Sequence, residues 1–362
     1  MKAIVIGPSP FDPTGYGAHC RGLTAALWSA LGKGNVKLDV PLPDGWEKLA
    51  DDCIMDCVFT NPKVREAVHV CVQPPPLWPI AASFRPKAVI GCLVFEGDRI
   101  PKQWADNCND SRIAQVWVPS KHVYDAAIRS GVEEDKLRII PHGVDDAFFK
   151  SWEAFPDLKS DKLTFLWNKG WAQGKNDRSG FDLVLKAFCE AFRREDPVRL
   201  LAHINPAYNP PGWSIAAEID KVGLPGKDVR PEMTIIPAPM SKEEIARFYA
   251  TGDILIGTSK AEAFNLPVAE ALAMRIPVIV TDHSAPDFVK PGKDGWLVSN
   301  HLEPATGGAL FEEINWFVPD HDDLIRAFKD AFAAGKGFIS ETKPPKWAEV
   351  GEMAAKELRN LQ

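Results

Sequence analysis

Short apolar runs alternate with helical patterns along the first part of the chain. The apolar runs are typical of strands that are buried on both faces of a sheet. These predicted strands are Met1–Gly7, Ala67–Val72, Ala88–Phe95 and Ile113–Val118. Because helical patterns lie between them, the order predicts an α/β fold built on a parallel, doubly wound sheet.

A second series with the same rhythm follows the segment Asp146–Asp161, which has no clear periodicity and is predicted to be a linker. Its predicted elements are, in order, strand Leu163–Trp167, helix Phe181–Arg194, strand Val198–Ile204, strand Met233–Ile236, helix Ser241–Thr251 and strand Ile254–Gly257. We therefore expect two Rossmann-like domains, residues 1–150 and 151–344, followed by a terminal helix. Ligands of such sheets bind beyond the carboxyl ends of the strands, so the expected site is a cleft across which the domains face each other.

Two glutamates mark the start of a helix near the end of the second series. Glu262 lies in the loop before this helix and Glu270 about one turn inside it, with Asn265 as the expected N-cap and Pro267 in the first turn. A strand, Ile276–Val280, follows. Glutamates are common at such helix starts because the helix dipole favours them, so spacing alone leaves a purely structural interpretation open.

The start of this helix also has the layout of an anion site. The backbone N–H groups of Phe264, Asn265 and Leu266 are expected to point off the helix end, with a carboxylate on either side. A sugar joined to a nucleoside diphosphate matches this layout, with phosphates for the helix end and hydroxyls for the carboxylates.

A glycine loop follows the first predicted strand. Gly15 and Gly17 precede a helical pattern over Ala18–Leu31, and this order lets backbone approach a phosphate. The alternative is an ordinary tight turn. The loop does not complete the dinucleotide fingerprint, because Cys20 stands where the third glycine would be.

Composition narrows the class of protein. With 45% apolar and 25% charged residues, the chain is of ordinary globular type, and its formal charge of −7 argues against dependence on nucleic-acid phosphates. No apolar run approaches the roughly 20 residues of a membrane span. The start MKAIVIG is too short for a secretory signal. Seven scattered cysteines favour buried thiols in a reducing cytoplasm, where we expect this protein to be found.

The segment Glu-Ala-Phe-Asn-Leu-Pro-Val-Ala-Glu, residues 262–270, closely resembles the Glu-x7-Glu signature of retaining GT-B glycosyltransferases of family four, also called glycosyltransferase group 1. Asn265 stands where that family usually has Gly, and Asn is the residue that best mimics the backbone freedom of Gly. The resemblance implies the GT-B fold, with the terminal helix at about 345–362 packing back on the first domain. It also implies retaining transfer of a sugar from a nucleotide-diphosphate sugar to an acceptor hydroxyl.

The same resemblance implies roles for individual residues. Glu262 would bind the sugar ring hydroxyls and Glu270 the ribose hydroxyls. The expected donor-binding residues besides Glu270 are Gly15, Gly17, Phe264, Asn265, Leu266, Ile236 and Pro237, the last two near the base edge.

Departure of a nucleoside diphosphate needs positive charge, from a metal or from Lys and Arg. The sole Asp-x-Asp, Asp320–Asp322, is better interpreted as a helix cap, so neither a metal nor another cofactor is expected. The resemblance assigns Lys169 as one cation. Ser179 occupies the place of the family's second Lys; Arg178 is the preferred replacement because its bidentate fork suits phosphate, and Lys175 is the reserve.

The residue that activates the acceptor is less clear from the sequence. Related enzymes often have a His at the end of a first-domain strand, and here Val94–Asp98 occupies that place. Glu96 would polarise or deprotonate the acceptor, or else be a structural carboxylate; both interpretations stay open. His69 lies inside an apolar strand, and His142 is better explained as a hinge or loop residue than as a base.

The expected partners are a UDP- or GDP-sugar and a saccharide or glycolipid acceptor, with peripheral contact to the inner face of a membrane as a further option. Two alternatives remain. One is a sugar-nucleotide hydrolase or epimerase of the same fold, and the other is a sugar-nucleotide binding protein without catalysis.

Overall fold

The computed structural model describes residues 2–12, 14–58, 64–171, 177–206, 209, 212–284 and 286–361. The chain divides into two compact units: unit 1 is Met1–Asp145 with Pro345–Gln362, and unit 2 is Asp146–Pro344. Within the described ranges, no helix is both long and apolar enough to cross a bilayer.

The strands are β1 Lys2–Ile6, β2 Val36–Asp39, β3 Ala67–Cys71, β4 Ala88–Cys92, β5 Ile113–Val118, β6 Leu137–Ile139, β7 Leu163–Asn168, β8 Val198–His203, β9 Glu232–Ile236, β10 Ile254–Ile256, β11 Val278–Thr281, β12 Gly295–Val298, β13 Asn300–Pro304 and β14 Asn315–Pro319. The α-helices are α1 Gly15–Leu31, α2 Asp52–Cys57, α3 Trp78–Ser83, α4 Lys102–Cys108, α5 Lys121–Arg129, α6 Phe181–Ala191, α7 Ile215–Val222, α8 Lys242–Tyr249, α9 Leu266–Ala273, α10 His321–Ala334 and α11 Trp347–Asn360.

Unit 1 contains a six-stranded parallel sheet in the order β2-β1-β3-β4-β5-β6. Apolar strand residues such as Val5 and Ile90 share one core with Leu358 of α11. Helices α1 and α11 pack closely because glycines lie at their contact: a Cβ at Gly22 would lie 2.1 Å from the Trp347 ring. The last helix therefore completes the fold of unit 1.

Unit 2 contains a second six-stranded parallel sheet, in the order β12-β11-β10-β7-β8-β9, and an antiparallel pair, β13-β14. Its core is aromatic: the rings of Phe165, Phe188 and Phe328 meet edge to face with centroids 5.3–5.6 Å apart. The predicted fold class of two Rossmann-like, parallel-sheet halves is confirmed.

Several predicted bounds, and the predicted linker, differ from the structure. Helix α1 begins at Gly15 rather than Ala18, because the Thr14 side chain accepts a hydrogen bond from the Gly17 N–H and caps it earlier. Strand β4 ends at Cys92 rather than Phe95. The predicted linker Asp146–Asp161 packs on unit 2, since Phe148 is buried with its ring 6.0 Å from that of Tyr249.

Candidate functional site

Most of the predicted site residues of unit 2 collect at one edge of its sheet, where the parallel strands end. Lys169 follows β7, Ile236 ends β9, and the loop that carries Glu262 follows β10. This is the edge at which open α/β sheets bind ligands.

The loop between β10 and α9 has a fixed shape. Asn265 is buried at the N-cap position with φ 64° and ψ 63°, the left-handed region. Its side chain does not cap the helix as predicted; Nδ2 donates to the carbonyl of Gly257 at 2.8 Å. A Cβ at Gly257 would lie 2.2 Å from Val268 Cγ2, so glycine there lets α9 pack on the end of β10. The left-handed backbone of Asn265 therefore fixes the residue at which α9 begins.

A largely enclosed ion pair joins this loop to the end of β7. Lys169 Nζ lies 2.9 Å from Glu262 Oε1, and their side chains are only 7% and 20% exposed. Lys169 also donates to Ser259 Oγ and, at 3.4 Å, to the Gly257 carbonyl, while Ser259 Oγ donates to Glu262 Oε1 at 3.0 Å. The two residues that the resemblance singled out for the phosphates and the sugar therefore lie in direct contact.

Burial and the neighbouring charges shift the pKa of both members of the pair. Burial would raise the pKa of Glu262, but Lys169 and Arg178 outweigh it and hold that pKa below its usual value. Burial lowers the pKa of Lys169, and the neighbouring Glu262 opposes that shift. The Glu262 carboxylate can accept hydrogen bonds from hydroxyls, and the Lys169 ammonium group can donate them to phosphate oxygens.

Arg178 and Ser179 lie in the segment that precedes α6. The backbone carbonyl of Arg178 accepts from the Lys260 N–H at 3.0 Å, which ties this segment to the loop of Glu262. Ser179 donates its hydroxyl to Asp177, whose carboxylate also accepts from the Gly180 N–H at 2.9 Å. The Ser179 side chain is therefore hydrogen-bonded within its own turn. The charge of Arg178 affects the pKa of both Glu262 and Lys169. The reserve cation, Lys175, lies outside the described residues.

Glu270 belongs to a separate hydrogen-bonded network. Its Oε2 accepts from the Tyr249 hydroxyl at 3.1 Å, and Asn168 Nδ2 donates to the same hydroxyl at 2.7 Å. Asn168 Oδ1 lies 2.6 Å from His203 Nδ1, and His203 Nε2 lies 2.7 Å from the Ala238 carbonyl. Asn168 and His203 are cross-strand partners at the ends of β7 and β8, so sheet register brings the network together.

The remaining predicted donor-binding residues of unit 2 border this edge. Phe264 is buried, with its ring 6.0 Å from that of Phe288. Leu266 is the first residue of α9, whose N–H groups at Val268 and Ala269 donate to the Asn265 carbonyl. At the end of β9, the Ile236 carbonyl accepts from the Ile204 N–H at 3.0 Å, and Pro237 comes next in the chain.

Three predicted residues lie in unit 1. Gly17 is needed by the turn itself, since a Cβ there would lie 2.2 Å from the Asp12 carbonyl oxygen and its N–H donates to Thr14. A Cβ at Gly15 would meet nothing within 4 Å. Glu96 is half-buried in the loop after β4, which the Tyr16 hydroxyl reaches with a 3.1 Å bond to the Val94 carbonyl.

Three histidines of unit 1, His19, His69 and His142, are buried. The rings of His19 and His142 lie 4.2 Å apart beside Trp347, and burial lowers the pKa of His19 to about 4. His69 lies in the interior of β3, as the apolar pattern around it indicated. Neutral, enclosed imidazoles of this kind are typical of packing rather than acid–base chemistry.

The acidic triplet near the end of the chain serves a helix. Asp320 accepts from the Asp323 N–H at 2.9 Å and caps α10, as predicted. Within the ranges that the structure describes, no group of three or more His, Cys, Asp or Glu side chains is placed to hold a metal ion.

Solved structures share the fold of this chain. HepE of Anabaena, solved in complex with UDP and glucose, aligns over 99% of this chain and all of its own with a TM-score of 0.63 at 14% identity. A glycosyltransferase of Rickettsia africae aligns over 99% of this chain and 93% of its own, with a TM-score of 0.66 at 14% identity. The two Rossmann-like units are thus those of the GT-B fold.

Part of the chain resembles a known family in sequence. Residues 173–312 match the family model of the glycosyl transferases group 1. The D-inositol 3-phosphate glycosyltransferase of Acidothermus cellulolyticus is 24% identical over 208 residues, which is 56% of this chain and 45% of that protein. The chain thus spans less than half the length of this curated relative. The resemblance to group 1 glycosyltransferases that residues 262–270 indicated is confirmed.

Sequence reasoning missed the polar residues that surround the two glutamates. These residues are Asn168, His203, Tyr249 and Ser259. Two of them carried a signal, since Asn168 and His203 are polar residues at the last positions of apolar strands. Tyr249 carried none, because its place beside Glu270 depends on how α8 packs.

Proposed function

We propose that unit 2 binds the diphosphate of a nucleotide sugar and that this chain transfers the sugar to an acceptor hydroxyl. The observation that carries the proposal is the buried contact between Lys169 and Glu262, beside the start of α9. A cation for phosphate oxygens and a carboxylate for sugar hydroxyls lie on adjoining loops. The match of residues 173–312 to the group 1 family and the solved relative that holds UDP and glucose support the same reaction class.

In the proposed reaction the bond between the anomeric carbon and the phosphate oxygen breaks, and its electron pair goes to the nucleoside diphosphate. The acceptor oxygen forms the new bond to that carbon and releases its proton. Lys169 and Arg178 would stabilise the charge that develops on the departing phosphate. Glu262 would hold the sugar hydroxyls, while Glu270 would hold the ribose hydroxyls.

The stereochemistry and the absence of a metal requirement also belong to the proposal. The Glu262-to-Glu270 spacing resembles that of retaining enzymes, so we expect the product to keep the anomeric configuration. Because two cations already reach the Glu262 carboxylate, we expect turnover to continue when chelator removes divalent metal. Glu96 is the candidate for activating the acceptor, and Glu96→Gln should then lower transfer while leaving donor binding intact.

UDP-sugars are the first donors to test, followed by GDP-sugars, with saccharides and glycolipids as acceptors. The named activity of the A. cellulolyticus relative adds D-inositol 3-phosphate to the acceptors worth testing. Cytoplasmic location and contact with an inner membrane face stay predictions.

The test begins with thermal stability measured against UDP-, GDP- and ADP-sugars and the corresponding diphosphates. A ligand at 100 times its Kd should stabilise the chain by about 2.7 kcal/mol. Release of nucleoside diphosphate is then followed with and without acceptors, and the product anomer is identified by NMR.

Glu262→Gln should lower turnover at least about 100-fold, whereas Glu232→Gln, which breaks the exposed pair Lys162–Glu232, should leave it unchanged. Turnover that ignores every acceptor would replace transfer with hydrolysis, and binding without turnover would leave a binding protein. Failure of every nucleotide to bind would reject the proposal.

A further inference from the structure

The hydrogen-bonded network from His203 to Glu270 requires a definite number of hydrogens. It contains four contacts in series: His203 with the Ala238 carbonyl, His203 with Asn168, Asn168 with Tyr249, and Tyr249 with Glu270. Each contact needs one hydrogen between its two polar atoms.

The groups at hand supply one hydrogen too few. A neutral imidazole provides one hydrogen, the Asn168 amide provides one on whichever side its nitrogen faces, and the Tyr249 hydroxyl provides one. An ionised Glu270 provides none. Turning the amide or changing the imidazole tautomer only changes which of the four contacts lacks a hydrogen. All four contacts are satisfied only when His203 is an imidazolium or Glu270 is a carboxylic acid.

The surroundings make an unsatisfied contact costly. His203, Asn168 and Tyr249 are 2%, 8% and 0% exposed, so bulk water does not replace a missing partner. Burial raises the pKa of Tyr249 well above its usual value, so the phenol keeps its proton.

Burial lowers the pKa of His203, and the hydrogen bond to the Ala238 carbonyl opposes that shift. Among the residues that the structure describes, His203 is in contact with the Asn168 amide from β7, the Ala238 carbonyl beyond β9 and the Phe248 ring from α8, whose centroid is 5.9 Å away. The titratable groups of the described network are therefore His203, Tyr249 and Glu270.

We propose that His203 is a positioning residue of the nucleotide site: its imidazolium supplies the fourth proton, and through Asn168 and Tyr249 it keeps Glu270 ionised and oriented to accept hydrogen bonds from ligand hydroxyls. This inference rests on the proposed function only for the identity of the ligand. A diol bound to the Glu270 carboxylate favours the network that holds its fourth proton on His203, so binding should raise the His203 pKa and take up a proton wherever the free chain lacks it. Affinity should then fall as pH rises from the His203 pKa of the free chain to the higher pKa of the complex.

The test is NMR of the full chain with ¹⁵N-labelled histidine, with the His203 ring signals assigned from their loss in His203→Gln. Tyr249→Phe removes the two contacts of the hydroxyl, and the Asn168 amide can then turn and donate to a neutral His203, so the two remaining contacts need no added proton. We expect it to lower the His203 pKa by about one unit or more. Glu270→Gln should do the same, because its amide supplies the missing hydrogen. Glu262→Gln removes a carboxylate outside the network and serves as the matched control, with a small effect.

Tyr249→Phe is the decisive variant because it retains the Glu270 charge. A His203 pKa equal to that of the unsubstituted chain in both Tyr249→Phe and Glu270→Gln would overturn the proposal.

A second experiment measures the His203 pKa in the presence of UDP, GDP or ADP, with the 2′-deoxy diphosphates as controls. Whichever diphosphate binds should raise the His203 pKa, and its 2′-deoxy form should raise it less; an equal or absent rise overturns the link to the ligand. If no nucleotide binds, the proposed function fails. The His203 pKa values of the variants without ligand still test whether the network needs the added proton.

Discussion

Lys169 and Glu262 lie just beyond the ends of two neighbouring buried strands, where the chain leaves the sheet but the side chains stay largely enclosed. A partner charge and a serine hydroxyl replace most of the water that each group would have in solution. Removing one member of such a pair leaves the other enclosed without a counter-charge, which costs more than the pair itself contributes.

Glu262→Gln should therefore lower the free energy of unfolding by about 2–3 kcal/mol, measured by urea denaturation. The matched control is Glu232→Gln at the exposed Lys162–Glu232 pair, where the loss should stay below about 0.5 kcal/mol. The double variant Lys169→Met/Glu262→Gln should regain part of the stability. Equal losses at the buried and the exposed pair would contradict this description.

Asn265 combines a left-handed backbone with a buried side-chain bond, and two substitutions separate these contributions. Asn265→Gly keeps the backbone freedom and loses the bond to Gly257, so we expect a loss of about 1 kcal/mol. Asn265→Ala adds the strain of φ 64° and should cost about 2–3 kcal/mol. An alanine variant as stable as the glycine variant would show that the backbone imposes no strain.

Residue-level features could be predicted where they follow from neighbours in the chain. The apolar runs indicated the strands to within a few residues, and the family resemblance anticipated the backbone freedom that Asn265 requires. The roles of Lys169 and Glu262 stay predictions, although the structure places the two side chains in contact. Tyr249 and His203 could not be found, because their roles depend on packing between elements far apart in sequence.

At the scale of elements, α1 and α11 show how two helices use glycine to approach each other. Gly22→Ala places a methyl group against the Trp347 ring and should destabilise unit 1 by about 2–3 kcal/mol. Gly15→Ala adds the same methyl group to α1 in open space and should cost less than about 0.5 kcal/mol. Thermal unfolding followed by circular dichroism measures both, and similar losses would argue against this packing.

The end of unit 2 is held to its sheet by one buried carboxylate. Asp294 accepts hydrogen bonds from the Lys290 backbone, from Ser340, from the Glu341 backbone, and from both the backbone and the side chain of Thr342. Burial alone would raise the Asp294 pKa, but these donors outweigh it and the pKa is lowered. Its contribution to stability is therefore present at neutral pH and is lost as pH falls through the folded-state pKa.

Asp294→Asn replaces an acceptor with a group that cannot accept from all these donors. The unsubstituted chain should be more stable than the variant at pH 7, and the difference in free energy of unfolding should narrow as pH falls below the usual pKa of an aspartate toward the lower pKa of the folded state. Free energies of unfolding measured across this range test the sign, and Asp161→Asn, at an exposed position, is the control. A gap that widens on acidification would contradict the assignment.

Helices and strands were predicted best where the pattern of apolar residues was pronounced. The strands of both parallel sheets that contain long apolar runs were found, as was the capping of α10 by Asp320. The pair β13-β14 went unpredicted because its residues are mostly exposed on the first strand and follow no clear alternation.

At the scale of the whole molecule, both units repeat the same design of a parallel sheet flanked by helices, and the chain returns to unit 1 at Pro345. Sequence rhythm revealed the two series, while the family resemblance was needed to expect the final helix on the first of them. The acceptor is the part that fold and family leave open, since related sites on one fold serve many substrates.

The central claim is that the edge of unit 2 around Lys169 binds a nucleoside diphosphate. Isothermal titration calorimetry with UDP, GDP and ADP tests it most directly, using the unsubstituted chain, Lys169→Met and the exposed-site control Lys162→Met. We expect one diphosphate to bind the first and third chains equally and Lys169→Met at least about tenfold more weakly. Equal affinity in all three chains, or no binding of any diphosphate, would contradict the claim.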